Sequence, residues 1–273
     1  MTVGLLQPGE MGAAVGRALR DNGIEVVWAS AGRSDATVER AAAAGLADVG
    51  DVGDVEAILH RADVVVSVVP PHAALDVAAT VDGFGGIYVD ANAVSPETAR
   101  EIAARVPRFV DGGIVGPPPR EQGTTRLYLS GAEANGVAEL FSGSVLDARV
   151  LSAEPGSASA LKMAYAGWTK GSAALLLASL AAAEANGVGG ALLAEWRASI
   201  PEAESRLGSA SRSALKKGWR WIGEMEEIAR TFAAADLPPG FHEAAAEIYR
   251  RTPHEEPEGE AERRVVSALL ADR

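Results

Sequence analysis

Short apolar runs and amphipathic stretches alternate along the first half of the chain. The runs fall at residues 3–6, 24–28, 64–69, 87–89, 109–110 and 127–129, with helical spacing at 12–22, 36–44, 55–61, 73–81 and 96–105. Near-continuous valine, as in Val64-Val65-Val66, predicts strands buried on both faces, the environment of a parallel sheet flanked by helices. Asp35 stands ahead of one helix as a cap, and Ser95-Pro96 reads as an N-cap followed by proline at the first helical position. Past residue 152 the strand patterns cease. Residues 157–186 predict one long helix closed by Gly187, where a left-handed residue is expected. Further helices are predicted at 190–199, 203–217, 221–235 and 242–250, with a last one ending the chain. Pro238-Pro239-Gly240 separates two of them, and the acidic stretch 253–262 reads as a solvated connection. The pattern predicts an α/β domain over residues 1–153, built on a doubly wound sheet, followed by a smaller all-α domain over 154–273. No internal repeat is visible.

Composition narrows the classes. The chain has 273 residues, 48% of them apolar, enough for a large core. It has no cysteine, which removes disulfides and thiolate chemistry and fits a reducing cytoplasm, the expected location. No basic segment followed by an apolar one opens the sequence as a signal peptide would. The longest apolar stretch, 173–183, is too short to span a bilayer, so no membrane partner is expected. A net charge of −12 argues against nucleic acid.

The chemistry starts in the first dozen residues. Val3-Gly4-Leu5-Leu6 ends in Gln7-Pro8-Gly9-Glu10-Met11-Gly12, and an alanine-rich helix follows. A strand feeding a helix through such a turn offers bare N–H groups at the positive helix end, where a pyrophosphate binds and side chains must be absent. Gly9 and Gly12 occupy the second and third glycine positions of G-x-G-x-x-G, and Gln7 stands at the first. A strand–turn–helix with two glycines is common, so the motif alone decides little. Taken with the alternating half, it makes the predicted sheet Rossmann-type. At the end of the second run, Ser30, Arg33 and Ser34 appear with no acid before Asp35. An acid there would serve a free ribose 2′-hydroxyl, whereas an arginine between two hydroxyls suits a 2′-phosphate. The expected cofactor is therefore NADP(H); the plain alternative is an ordinary polar loop.

Several segments then fall in a familiar order: Val68-Val69-Pro70-Pro71, Asp90-Ala91-Asn92-Ala93-Val94-Ser95-Pro96, Asp111-Gly112-Gly113-Ile114-Val115-Gly116-Pro117, Gly123-Thr124-Thr125, and Gly156 to Met163 on the long helix. In this order and spacing the chain resembles the β-hydroxyacid dehydrogenase superfamily of 3-hydroxyisobutyrate and 6-phosphogluconate dehydrogenases. It is most similar to a short-chain, 6-phosphogluconate-dehydrogenase-like branch, on Lys162-Met163-Ala164-Tyr165-Ala166, Thr169-Lys170-Gly171 and Trp221 to Glu227. The resemblance implies that Gly9, Glu10, Met11 and Gly12 hold the pyrophosphate and that Val69, Pro70, Pro71 and Asn92 line the cofactor cleft. It implies that the stretch from Asn92 to Ser95, together with Val115, Gly116 and Pro117, faces the substrate, and that Trp221 and Glu224 approach it. It places the acid–base lysine at Lys162. Two departures stand out: Ala166 replaces the partner asparagine and Val115 replaces a serine that contacts carboxylate.

Judged apart from the resemblance, Lys162 is a single lysine on an alanine- and leucine-rich helix, a setting that normally means a snorkelling side chain. Tyr165 lies three residues on, with Thr169 and Lys170 on a related arc, so one face gathers several polar groups. Protonated beside a nicotinamide, Lys162 can donate to a carbonyl oxygen, with Tyr165 as a second candidate. His60, His242 and His254 have no metal-ligand spacing, His72 reads equally as a surface residue, and Trp168 and Trp219 read as core or interface. The expected activity is NADPH-dependent hydride transfer on a small, hydroxyacid-like molecule, with the chain as a homodimer. An imine reductase and a non-catalytic NADP-binding protein are the rival readings.

Overall fold

The computed structural model describes residues 1–50, 55–257 and 259–271. The chain divides into two compact units, Met1–Met163 and Ala164–Arg273. The division falls inside the long helix, not in the loop ahead of it.

The first unit runs β1 (Thr2–Leu5), α1 (Glu10–Asp21), β2 (Glu25–Trp28), α2 (Asp35–Ala43), β3 (Ala47–Asp48), α3 (Val55–Leu59) and β4 (Val64–Ser67). A 3₁₀ turn (Pro71–Ala73) leads into α4 (Ala74–Ala79), β5 (Ile87–Asp90), α5 (Pro96–Ala103) and β6 (Phe109–Val115). β7 (Thr125–Ser130), α6 (Ala134–Glu139) and β8 (Leu146–Ser152) complete it. The strands form one sheet in the order β3-β2-β1-β4-β5-β6-β7-β8. Chain direction reverses across the sheet at β1, which pairs with β2 on one side and β4 on the other. Such a switch point opens a crevice at the carboxyl ends of the strands. The valine run of β4 behaves as its composition predicts: Val64 and Val66 pack into the core layer with α1, and Val65 into the opposite layer with Tyr88 and Ile102.

The sheet differs from an all-parallel one at β6–β7, which pair antiparallel. No helix lies between these two strands, and a chain returning without a crossover can only pair antiparallel. Periodicity does not reveal three elements. β3 has two residues, α6 barely more than a turn, and β8 is an edge strand with an exposed middle. α2 begins at Asp35 itself, so Ser34 occupies the cap position that the sequence assigned one residue later.

The second unit is helical. α7 (Ser157–Ala185) enters it from the first unit, and α8 (Gly189–Ser199), α9 (Glu202–Ala234), α10 (Gly240–Arg251) and α11 (Ala261–Leu270) follow. Gly187 takes φ +71° beyond α7, and the Val188 N–H returns to the Ala183 carbonyl, the C-terminal closure the sequence predicts. The helices expected at 203–217 and 221–235 are a single helix, α9. Lys216-Lys217-Gly218 reads as a helix end, yet Gly218 is buried within helical turns against Tyr249. Tertiary packing here outweighs the ~1 kcal/mol that glycine costs a helix interior. The connection expected at 253–262 is irregular over its described part up to residue 260, and α11 begins at Ala261; residue 258 lies outside the described residues. Among the described residues no helix is long and apolar enough to cross a membrane.

Candidate functional site

The β1–α1 turn is shaped by two glycines with different tasks. A Cβ on Gly12 would run into the Gln7 carbonyl oxygen, so only glycine lets α1 leave the strand this closely. Gly9 is the N-cap, in extended conformation, and a Cβ there would meet nothing within 4 Å. The turn is closed by Gly9 N–H donating to the Gln7 carbonyl at 2.9 Å. No side chain caps α1. The positive end of the α1 dipole therefore lies at this glycine turn. Met11 is half-buried and packs against the core layer below. This is a cradle for a phosphate group, and the residues present fit a dinucleotide.

Beside it, at the end of β2, Arg33 reaches back so that Nη2 donates to the Leu6 carbonyl at 3.3 Å. Its Nε is buried and has no hydrogen-bond partner among the described residues. Ser34 is exposed, its hydroxyl 3.1 Å from that of Thr37. Ser30 is tied to Asp48 at the end of β3, whose Oδ1 accepts the Ser30 N–H at 3.2 Å and the Gly50 N–H at 3.1 Å. Burial works against the charge on Asp48, but the Ser30 hydroxyl and these N–H groups outweigh it and hold the carboxyl below its usual range. Asp48 was invisible to a reading of the β2 end alone, because β3 brings it there.

The crevice continues over the ends of β4, β5 and β6. Asn92 is 3% exposed and its side chain is fully committed. Its Oδ1 accepts the Val69 N–H at 2.6 Å, and Nδ2 donates to Ser67 Oγ at 3.1 Å and Asp90 Oδ2 at 2.8 Å. Asn92 thus braces the loop that carries Val69, Pro70 and Pro71; its side chain is turned into the protein. Asp90 is pushed up to about 7, first by burial and further by Asp111 across the strand pair, against the pull of the Asn92 N–H. Ser95 is likewise internal: its Oγ accepts the Thr98 N–H at 3.1 Å as the N-cap of α5. Val115 is buried at the end of β6, and Gly116 follows at φ +128°, where a Cβ would collide with the Thr124 carbonyl. Pro117 is exposed, with its carbonyl held by the Thr125 hydroxyl. His72 is exposed on the 3₁₀ turn.

A buried carboxylate sets the start of α7. Asp111 on β6 is 1% exposed. Its Oδ2 accepts Ser130 Oγ at 2.8 Å and the N–H groups of Gly156 and Ser159 at 3.0 Å each, and Oδ1 accepts Ser159 Oγ at 2.6 Å. Ser130 Oγ in turn accepts the Ala158 N–H at 3.1 Å. The first turn of α7 is therefore capped by a charge that complements the helix dipole. Lys162, half-buried, comes one turn later. A Cβ on Gly113 would stand 2.7 Å from the Ala158 carbonyl and 3.0 Å from Lys162 Cβ. The bare strand at Gly113 is what lets the lysine-bearing turn lie against the sheet.

The remaining candidates belong to the second unit. Tyr165 is half-exposed on α7. Glu224, on α9, is buried and ion-paired with Lys170, whose Nζ lies 5.4 Å from the Trp221 ring centroid. Trp221 meets Tyr249 edge-on, and the Tyr249 hydroxyl donates to the Lys170 carbonyl at 2.7 Å. Burial and the Glu224 charge push the Tyr249 phenol up. This cluster ties α7, α9 and α10 together. His242 sits against Gly167 and Gly171 with its ring 4.3 Å from that of Phe232, and burial pushes its imidazole down. Ala166 is buried, so no polar group replaces the asparagine there. No group of histidine and acidic residues among the described residues is arranged to hold a metal.

Comparison with known proteins agrees with this geometry. Residues 2–140, half of the chain, match the NAD binding domain of 6-phosphogluconate dehydrogenase, and residues 183–252 match a domain of unknown function, DUF1932. A solved structure described as a conserved protein of unknown function with structural similarity to 3-hydroxyacid dehydrogenases is 32% identical. That match covers 92% of this chain and 97% of the other, with a TM-score of 0.68. The chain belongs to the β-hydroxyacid dehydrogenase superfamily. An uncharacterised 28.5 kDa protein of Methanothermus fervidus is 34% identical over 180 residues, 65% of this chain and 68% of that protein. The 3-hydroxyisobutyrate dehydrogenase of Salmonella typhimurium shares the superfamily fold, with a TM-score of 0.71 at 17% identity over 98% of this chain and 99% of that one. The glycine turn and the β1 switch point both lie within the residues that match the NAD binding domain.

Proposed function

We propose that this chain is an NADPH-dependent oxidoreductase acting on a carbonyl or alcohol carbon of a small, hydroxyacid-like molecule, with Lys162 as its acid–base group. The observation that carries the reading is the pairing, within one unit, of a glycine turn at the start of α1 with a half-buried lysine on the first turns of α7. The bound nicotinamide would supply or accept the hydride. The chain's own residues do the rest. The turn from Gly9 to Gly12 holds the pyrophosphate, and Val69 to Pro71, braced by Asn92, wall the cleft. Val115 to Pro117 flank the substrate, Lys162 gives or takes the proton at the substrate oxygen, and Tyr165 is the second candidate for that proton. Val115 and Ala166 remove polar contacts that the superfamily offers elsewhere, which favours a substrate of different shape from the usual hydroxyacids. Oxidation of NADPH across a panel of carbonyl compounds and imines tests the activity. Turnover of imines alone would favour an imine reductase, and no turnover of either class would favour a binding protein.

Cofactor choice follows from Ser30, Arg33 and Ser34. The buried Nε of Arg33 is a donor without an acceptor among the described residues, and a 2′-phosphate would supply one. NADPH should bind more tightly than NADH by about 1.5–3 kcal/mol, the scale of hydrogen bonds to a charged group. Arg33→Ala should remove most of that gap by titration calorimetry, and equal affinities in the wild type would contradict the assignment.

A homodimer is proposed on the surface of α7. Tyr165, Trp168 and Leu175 fall along one stripe of that helix, and Trp168 is 71% and Leu175 62% exposed. A stripe this apolar is normally covered. Light scattering at micromolar concentration should give twice the mass of one chain; a monomer mass would rule the dimer out.

A further inference from the structure

Four buried polar residues stand side by side across the sheet. Ser67 on β4 pairs with Asp90 on β5, Asp90 with Asp111 on β6, and Asp111 with Ser130 on β7. Each is at most 1% exposed. Paired residues of adjacent strands point to the same face, and the strands lie about 4.8 Å apart, so the two carboxyls of the row are neighbours. From Asp90 the row leads to the cofactor cleft. Asn92 donates its N–H to Asp90 Oδ1 at 3.0 Å and its Nδ2 to Asp90 Oδ2 at 2.8 Å, while its own Oδ1 holds the Val69 N–H. From Asp111 the row leads to α7. Asp111 accepts four hydrogen bonds, from Ser130 Oγ, Ser159 Oγ and the N–H groups of Gly156 and Ser159.

Two carboxyls this close in a buried site do not both ionise cheaply. Donors decide which of them carries the charge. Asp111 has four, two of them at the positive end of a long helix; Asp90 has the two from Asn92. The charge rests on Asp111 and the proton on Asp90. Other titratable or charged groups surround the row. Tyr88, two residues before Asp90 on the same face of β5, has its phenol pushed up by burial and by the Asp90 charge. Arg100 of α5 lies beside Gly156, and Lys162 follows Ser159 on α7. β4 and β7 contribute only the serines Ser67 and Ser130 to the row.

We propose that Asp90 and Asp111 form a carboxylate pair that holds one proton and positions the Val69–Pro71 wall of the dinucleotide cleft. With the proton in place, Asn92 stays locked between Asp90 and Val69. With both carboxyls charged, repulsion is relieved at the less firmly held member, Asp90, and Asn92 and the wall shift with it. Asp90 acts through Asn92, and Asp111 acts through Asp90. This role rests on the dinucleotide reading of the cleft above. Burial and the Asp111 charge push Asp90 up to about 7, so the protonated pair is the state at lower pH and is lost as pH rises through that value.

Titration calorimetry with NADPH on the full chain, over a pH series from about 6 to about 8.5, tests this with the wild type, Asp90→Asn and Asp111→Asn. Wild-type affinity should fall about threefold to tenfold as pH rises through about 7, within the range for coupling through a packed network. Asp90→Asn cannot ionise, so the fall should vanish; this variant also controls for titration of the 2′-phosphate. Asp111→Asn should move the midpoint to lower pH, because the neighbouring charge is gone. Carboxyl-carbon NMR of aspartate-labelled wild type should show one carboxyl titrating at the midpoint of the binding curve. If none does, the proposal is wrong, whether or not the variants fold. A flat wild-type profile, or a midpoint unmoved in Asp111→Asn, also overturns it. If the fall persists in Asp90→Asn, another group titrates, and the proposal fails while the cofactor reading stands. If NADPH does not bind at any pH, the cofactor reading fails and this proposal with it.

Discussion

Lys162→Ala should reduce turnover by roughly 10²–10⁴ on any substrate the wild type accepts, the scale for loss of a positioned general acid. The lysine is held at its place by a chain of contacts that a substitution at its tip does not touch: Asp111 caps the helix below it, and Gly113 admits its turn to the sheet. NADPH affinity should therefore change little, and the loss should appear in kcat. Tyr165→Phe is the companion variant. A larger loss at Tyr165 than at Lys162 would move the proton to the phenol and favour imine chemistry. Near-normal turnover in Lys162→Ala would refute the lysine mechanism.

The second large effect is on stability. Asp111→Ala should cost about 3 kcal/mol, because it strands the buried N–H groups of Gly156 and Ser159 and the hydroxyls of Ser130 and Ser159. Relief of repulsion on Asp90 works the other way. Asp90 already titrates near neutrality, about 7, so it carries only part of a charge there and the gain is the smaller term. The melting temperature should fall by roughly 6–12 °C, at a few degrees per kcal/mol for a unit of this size. A shift below about 2 °C would mean that water replaces the carboxylate as cap. In that case Asp111 would not be what fixes the lysine-bearing turn.

The sequence and the structure agree where the signal is local. The glycine turn, the buried valine strand β4, the Ser95 cap and the closure of α7 at Gly187 each depend on residues a few positions apart, and each can be read from spacing. The disagreements come from contacts that the topology makes. Asn92 reads as a residue facing the cleft, but Ser67 at the end of β4 and Val69 just beyond it, both more than twenty positions away, take up its side chain together with the nearby Asp90. Asp111 shows no local sign of its task, because the helix it caps begins far along the chain. Glu224 reads as a residue near substrate, and the structure pairs it with Lys170 inside the helical unit. Helix α9 runs through Gly218 because packing against Tyr249 overrides a local stop signal.

A crystal structure with bound NADP is the most direct test of the central claim. The pyrophosphate is expected on the turn from Gly9 to Gly12, the 2′-phosphate at Ser30, Arg33 and Ser34, and the Lys162 ammonium facing the nicotinamide ring. A dinucleotide bound away from the glycine turn, or a Lys162 side chain directed away from the nicotinamide, would contradict it.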